Sequence, residues 1–267
     1  MTPLTTTVTF RNLGAGYVSL GTASLLSDRR EIEARTVFRR GRVQASVDVS
    51  RQHDNLADQK LFTTERDRLG ASLSTRLTAN WTSSLRLQRA TLHNDASDPE
   101  RWIAYGSWLA GTRQSVSFGR RSLARTVSVD YNYRTTGDDN PARVRSTSTS
   151  HTVNARVVLA PARIVSITPT AGLVQSRFGE DPSSLRSNFG LGGQLNLLRG
   201  KWVSSLNLGR SHVHQTTVSQ ASLSSRYQVT GQDAVILSMR LSDNENVAAA
   251  ERSFRESTLS LRWTRRF

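Results

Sequence analysis

The chain has 267 residues, 36 basic and 21 acidic, for a formal charge of +15, and it has no cysteine. Zero cysteine excludes disulfides and thiolate metal centres. Apolar side chains make up 36% of the sequence, and no stretch approaches the roughly 18 to 20 consecutive apolar residues of a membrane helix.

From the N-terminus, Met1-Thr2-Pro3-Leu4-Thr5-Thr6-Thr7 lacks the basic start and apolar core of an export signal. A strand is expected somewhere within residues 5–20. Further on, apolar and polar residues alternate. Val43, Ala45, Val47 and Val49 share one face, and Arg42, Gln44, Ser46, Asp48 and Ser50 the other. The pattern returns with Leu69, Ala71, Leu73 and Leu77 against Arg68, Ser72, Ser74 and Arg76, then with Trp81, Leu85 and Leu87 against Thr82, Ser84 and Arg86. Residues 102–118 read as one long strand. Later apolar rows run Val127, Val129, Tyr131, Tyr133; Val153, Ala155, Val157, Leu159; Phe189, Leu191, Leu195, Leu197; Leu223, Tyr227, Val229; and Val235, Leu237, Met239, Leu241. Alternation of this kind is the signal of a strand with two different surroundings, and no comparable helical face is present.

Tight turns are expected near residues 40–41, 78–80, 121–122, 161–162, 199–200 and 231–232. Longer polar loops are expected at 54–60, 94–100, 137–142, 179–184, 211–217 and 242–251. Each series recurs about every 40 residues, the span of two membrane strands with a turn and a loop. Counting strands gives about 13 from residue 30 onward, and about 14 with the N-terminal one, an even number. No linker divides the chain, so it is expected to be a single β-barrel domain over residues 1–267, or the C-terminal part of a longer envelope protein.

The chain closes on Leu259, Leu261, Trp263 and Phe267 along one face and Ser260, Arg262, Thr264 and Arg266 along the other. With its terminal aromatic, this ending resembles the closing strand of bacterial outer-membrane β-barrels of the porin-like kind. The resemblance implies a transmembrane antiparallel up-and-down barrel of about 14 strands in the bacterial outer membrane. It also implies that Leu259, Leu261, Trp263 and Phe267 form the signal read by the barrel-assembly machinery. Arg265 departs from the pattern, since an apolar or aromatic residue is usual there. In lipid every strand N–H and C=O must be paired, so such a sheet must close.

Registering the strands by their apolar faces puts Arg68, Arg76, Arg86, Arg156, Arg226, Arg240 and Arg262 on the lumen side, with Asp48 and Asp130 as the clearest inward acids. Rings of Arg serve anion-conducting pores, so a narrow anion-favouring lumen is one expectation. A structural or adhesive barrel, its interior plugged by Arg pairing with Asp48, Asp130 or neighbouring polar groups, is the other. A soluble Arg-rich β-protein binding nucleic acid is a third reading. Arg spread over alternate positions of many strands argues against it, and the absence of an export signal argues for it. The expected partners are outer-membrane lipid and the assembly machinery, with no nucleic acid and no cofactor.

Arg39, Arg40, Arg42, Arg120, Arg121, Arg163, Arg199, Lys201, Arg265 and Arg266 gather at the tight turns, and most acids lie in the long loops. Trp81, Trp202 and Trp263 fall near the tight-turn end, where a girdle of aromatics would meet the membrane boundary. Enzyme signals are poor. His212 and His214 make a two-ligand pair with no third. The neighbours His53 and Asp54 are not by themselves catalytic geometry. Gly190, Gly192 and Gly193 lie inside a strand pattern, where Gly marks a bend or a close approach. No catalytic or metal site is expected.

Overall fold

The computed structural model describes residues 3–15, 28–119, 125–140, 147–247 and 253–265. Their regular structure is fourteen strands: β1 Leu4–Leu13, β2 Arg29–Arg40, β3 Val43–Asp54, β4 Thr64–Arg76, β5 Trp81–Asn94, β6 Ala104–Phe118, β7 Arg125–Asp138, β8 Ser148–Ala162, β9 Val165–Phe178, β10 Ser184–Leu197, β11 Trp202–Val213, β12 Thr216–Gln228, β13 Asp233–Asn246 and β14 Phe254–Arg265. One short 3-10 turn, Leu198–Gly200, follows β10. Each strand lies next to its sequence neighbour in a single up-and-down sheet. The region read as one long strand, 102–118, holds one strand, β6, which begins at Ala104.

Strands of 10 to 15 residues meet the roughly 9 to 11 residues that a tilted strand needs to cross a bilayer. At the ends of the strand order, β1 pairs with β2 and β14 with β13. Contact density divides the sheet into two units. The first comprises Met1–Arg113, Tyr131–His151 and Ser176–Ser183, and the second comprises Gln114–Asp130, Thr152–Gln175 and Ser184–Phe267.

One series of connections is short. Gly41 opens the β2–β3 turn at φ 57, a left-handed conformation that Gly adopts without steric cost. The β8–β9 turn sits at residues 163–164, just after the expected 161–162, because β8 runs on through Ala162. The other series is longer among the described residues: 55–63, 95–103 and 179–183; residues 141–146 and 248–252, within two further expected loops, lie outside the described residues. The loop expected at 242–251 starts later, because β13 runs on through Asn246, and another expected loop is overturned. Residues 211–217 hold only a two-residue turn, His214 and Gln215, with His214 at φ 50. Ser211, His212, Thr216 and Thr217 are polar because they end their strands, not because they leave them.

Side chains clip the longer loops. Asn94 Oδ1 accepts from Ile103 N at 2.7 Å, and its Nδ2 donates to Arg101 O at 2.9 Å. Asn140, 1% exposed, donates to both Pro99 O and Trp102 O at 2.7 Å. Asp54 Oδ1 accepts from Thr64 N at 2.6 Å, and Asp95 Oδ1 accepts from Thr63 N at 2.6 Å. Several of the loop acids and amides therefore hold backbone.

Burial is inverted relative to a water-soluble domain. Among the described residues Ala234 is the sole buried hydrophobic, while Asp28, Asn55, Asn94, Ser128, Thr136 and Asn140 are buried. Large apolar side chains such as Leu69, Leu206 and Leu223 stand exposed. Among the described residues the sheet has no packed apolar core; its large apolar side chains stand exposed.

Candidate functional site

The cross-strand register shows how that surface is organised. In the second unit the outward residues form rows across β10 to β14. The row nearest the short turns is Leu197, Trp202, Tyr227, Val235 and Trp263. Trp202 Nε1 donates to Ser225 Oγ at 2.8 Å. Above it come Leu195, Ser204, Ser225, Leu237 and Leu261, then Gly193, Leu206, Leu223, Met239 and Leu259, then Leu191, Leu208, Ala221, Leu241 and Ser257. The next row turns charged: Phe189, Arg210, Ser219, Asp243 and Arg255. The aromatic and charged rows are eight residue steps apart, as from Trp202 to Arg210, about 27 Å along a strand at about 3.4 Å per residue. A tilt of about 40° reduces that to about 21 Å, close to the apolar band of roughly 25 Å in outer-membrane barrels.

The first unit repeats the scheme. Leu4, Phe38, Ala45, Leu73 and Leu85 form one row, and Val8, Ala34, Val49, Leu69 and Arg89 another. Toward the long loops the same face becomes polar, with Ile32, Arg51, Asp67 and Thr91, then Arg30, His53, Glu65 and His93. Glu65 organises this cluster. Its Oε2 lies 2.7 Å from Arg51 Nη2 and 3.1 Å from His93 Nε2, and its Oε1 lies 3.2 Å from His53 Nδ1. Arg51 Nε also reaches Asp67 Oδ1 at 3.7 Å. Glu65, Asp67 and His93 offer ligand atoms within 4.8 Å of one another, but Arg51 already engages both carboxylates. Sequence reading missed this cluster because its members come from three strands, and only the register joins them.

The opposite face is mainly polar, with a few apolar residues such as Val203, Ile236 and Val218 among its rows. In the second unit its rows are Asn196, Val203, Arg226, Ile236 and Arg262; Gln194, Ser205, Ser224, Ser238 and Ser260; and Gly192, Asn207, Ser222, Arg240 and Thr258. Glu256 is the one acid that follows, opposite Ser242. Arg156 joins this face, lining a cavity of about 370 Å3 with Thr168, Gln194, Ser205 and Asn207. In the first unit the face carries Arg86 across from Ser72, Arg68 across from Ser50, Arg76 across from Thr82, and Asp48 between Arg35 and Gly70. Asp130 alternates with Val129 and Tyr131 along β7.

Polar side chains on this face lie over glycines of the neighbouring strand. A Cβ at residue 70 would fall 2.5 Å from Asp48 Oδ2, one at 172 would fall 2.5 Å from Asn154 Oδ1, and one at 190 would fall 2.6 Å from Thr170 Oγ1. The glycine there gives close approach, as expected for Gly190, and the polar group rests along the wall.

Other expectations resolve differently. His53 and Asp54 point to opposite faces; His53 meets Glu65, and Asp54 meets Lys60 Nζ at 2.9 Å. His212 lies on the outward face and bonds Thr217 Oγ1 at 3.0 Å, while His214 is in the turn, so the two do not pair. Leu259, Leu261 and Trp263 share the outward face of β14. Arg265 lies beyond the aromatic row, its Nε 3.9 Å from Asp233 Oδ1. Phe267, Arg266, Arg120 and Arg121 fall outside the described residues.

No protein-family model matches the chain, and no curated protein matches it. Solved structures do. The ferric-catecholate import receptor Fiu from E. coli K12 is 11% identical, covering 90% of this chain and 55% of that chain with a TM-score of 0.61. The siderophore receptor PirA from Acinetobacter baumannii is 10% identical, covering 89% and 48% with a TM-score of 0.60. A mutant of the ferric enterobactin receptor PfeA from Pseudomonas aeruginosa is 9% identical, covering 80% and 41% with a TM-score of 0.60. The chain thus spans about half the length of these structures. At such identity the likeness is one of fold alone, and the fold, fourteen antiparallel strands in up-and-down order, is that of the outer-membrane β-barrels.

Proposed function

We propose that the chain is a barrel of the bacterial outer membrane, alone or as the membrane domain of a larger envelope protein, and that its Arg- and Ser-rich face lines a narrow, anion-favouring water path. The observation that carries this reading is the inverted burial: large apolar side chains are on the outside and nearly none are packed. In water, a sheet face this apolar would associate or aggregate. In a bilayer it faces hydrocarbon, and its two end strands must pair so that no edge is left.

The anion preference rests on the charge of the polar face. Arg226, Arg240 and Arg262 form no ion pair among the described residues, and nor does Asp48. This speaks against an interior plugged through Asp48, although Asp130 has a partner and Arg86 donates to Gln88 Oε1 at 2.9 Å. Polar groups that rest over glycines, such as Asp48 over Gly70, stay close to the sheet, which favours an unobstructed path. Transport, not catalysis, is the role proposed, with the β14 face presented to the assembly machinery.

Reversal potentials across a planar bilayer with a salt gradient test it. The expected result is an anion-favouring potential that weakens when Arg226, Arg240 and Arg262 are changed to Gln. Cation preference, or an assembled barrel with no conductance, overturns it and favours the structural or adhesive barrel.

A further inference from the structure

The outward face of β10 to β14 is not evenly filled. Ser204 and Ser225 lie side by side in the row nearer the short turns, whereas bulky residues meet in the row of Leu206, Leu223 and Met239. One step toward the long loops, β12 carries only Ala221 and then Ser219 at outward positions. Leu208 and Leu241 flank Ala221 directly, and Arg210 and Asp243 flank Ser219. The result is a groove of about 720 Å3 with a small-residue floor, within the range of roughly 300 to 1,000 Å3 typical of ligand sites.

Its two ends differ chemically. The end toward mid-sheet is walled by leucines. The end toward the long loops opens between two guanidiniums, Arg210 and Arg255. Arg255 Nη2 is held by Asp243 Oδ2 at 3.1 Å. Arg210 forms no ion pair among the described residues, so the groove's lining carries two cations against one carboxylate, with Glu245 one row further toward the loops. On the outer-membrane reading, on which this inference rests, the long loops face outward, so this mouth stands at the headgroup level of the outer leaflet.

We infer that the groove holds one phosphate-bearing saccharolipid of the lipid A type: an acyl chain lies over Ala221 between Leu208 and Leu241, and a headgroup phosphate meets Arg210 and Arg255. A phosphate accepts charge-assisted hydrogen bonds from guanidinium, the strong form of such contacts. The apolar floor selects a chain that a free phosphate lacks.

The test is native mass spectrometry of the full chain folded in detergent with added lipid A, set beside lipid A stripped of its phosphates. The expected result is one lipid A retained per chain, with the phosphate-free form held about tenfold to thirtyfold more weakly, as expected for about two Arg contacts at a headgroup. Arg210→Gln with Arg255→Gln should weaken lipid A to the level of the phosphate-free form. Ala221→Phe, which fills the floor and leaves both Arg in place, should weaken both forms together. Equal retention of both forms by the wild-type chain, or unchanged retention in either variant, overturns the inference. A wild-type chain that needs detergent to stay folded but holds no lipid A overturns the groove alone. A chain that stays monodisperse without detergent overturns the outer-membrane reading and the groove with it.

Discussion

Asp48 sits directly across from Gly70 in the β3–β4 ladder, and its carboxylate fills the space a β-carbon on residue 70 would need. The contact is with the tip of a movable side chain, so a methyl group there would displace the carboxylate and leave the backbone in place. Gly70→Ala should therefore fold with a stability change under about 1 kcal/mol, while swinging a negative charge off the wall into the polar path. Reversal potentials should shift toward cations. Asp48→Asn should shift them the other way. No shift in either variant would mean that this face does not line the conducting path.

The outward and inward positions of β12 should respond oppositely to charge. Leu223 lies in the middle row of the apolar band, and Ser222 lies beside Arg240 on the polar face. Leu223→Arg should cost about 2 to 4 kcal/mol in folding from urea into lipid vesicles, as Arg does at the midplane of a membrane barrel. Ser222→Arg should cost far less. Equal penalties would mean the two faces share one environment.

Trp202, Tyr227 and Trp263 fall at one level through the chain Trp202–Tyr227–Val235–Trp263. Amphipathic rings of this kind settle at the membrane boundary. In variants that keep only Trp202 or only Trp263, brominated lipids should quench emission best when bromine lies near the headgroups. Strongest quenching by bromine near the chain ends would displace the girdle.

The loop at 95–103 depends on Asn140, which reaches it through two bonds to Pro99 and Trp102 carbonyls. Asn140→Ala leaves both oxygens without that donor, at a cost of about 1 to 3 kcal/mol. Limited proteolysis should cut this loop faster in the variant while strand content by circular dichroism stays the same. Unchanged cleavage would mean the clip is not what orders the loop.

The strands were legible in the sequence because a sheet with two unlike surroundings writes itself as alternation. Val43 to Val49 and Leu69 to Leu73 needed no register to be assigned to one face. The hairpin at His214 and Gln215 was not legible, because strand ends above an apolar band are as polar as loops and no Gly marks the turn. The Arg51–Glu65–His53–His93 cluster was equally hidden. Its residues are up to 42 positions apart in sequence and meet only once β3, β4 and β5 are in register. The groove over Ala221 follows the same logic: one small residue reads as nothing until its cross-strand neighbours are known to be Leu208 and Leu241.

The most direct measurement exploits the absence of native cysteine. Single cysteines at 222 and 223, each spin-labelled in the chain folded into lipid vesicles, report accessibility to oxygen, which concentrates in hydrocarbon, and to a water-soluble nickel chelate. The label at 223 should be open to oxygen and closed to nickel, and the label at 222 should show the reverse. Both labels open to nickel, or both shielded as in a packed core, would contradict a sheet that stands between lipid and water.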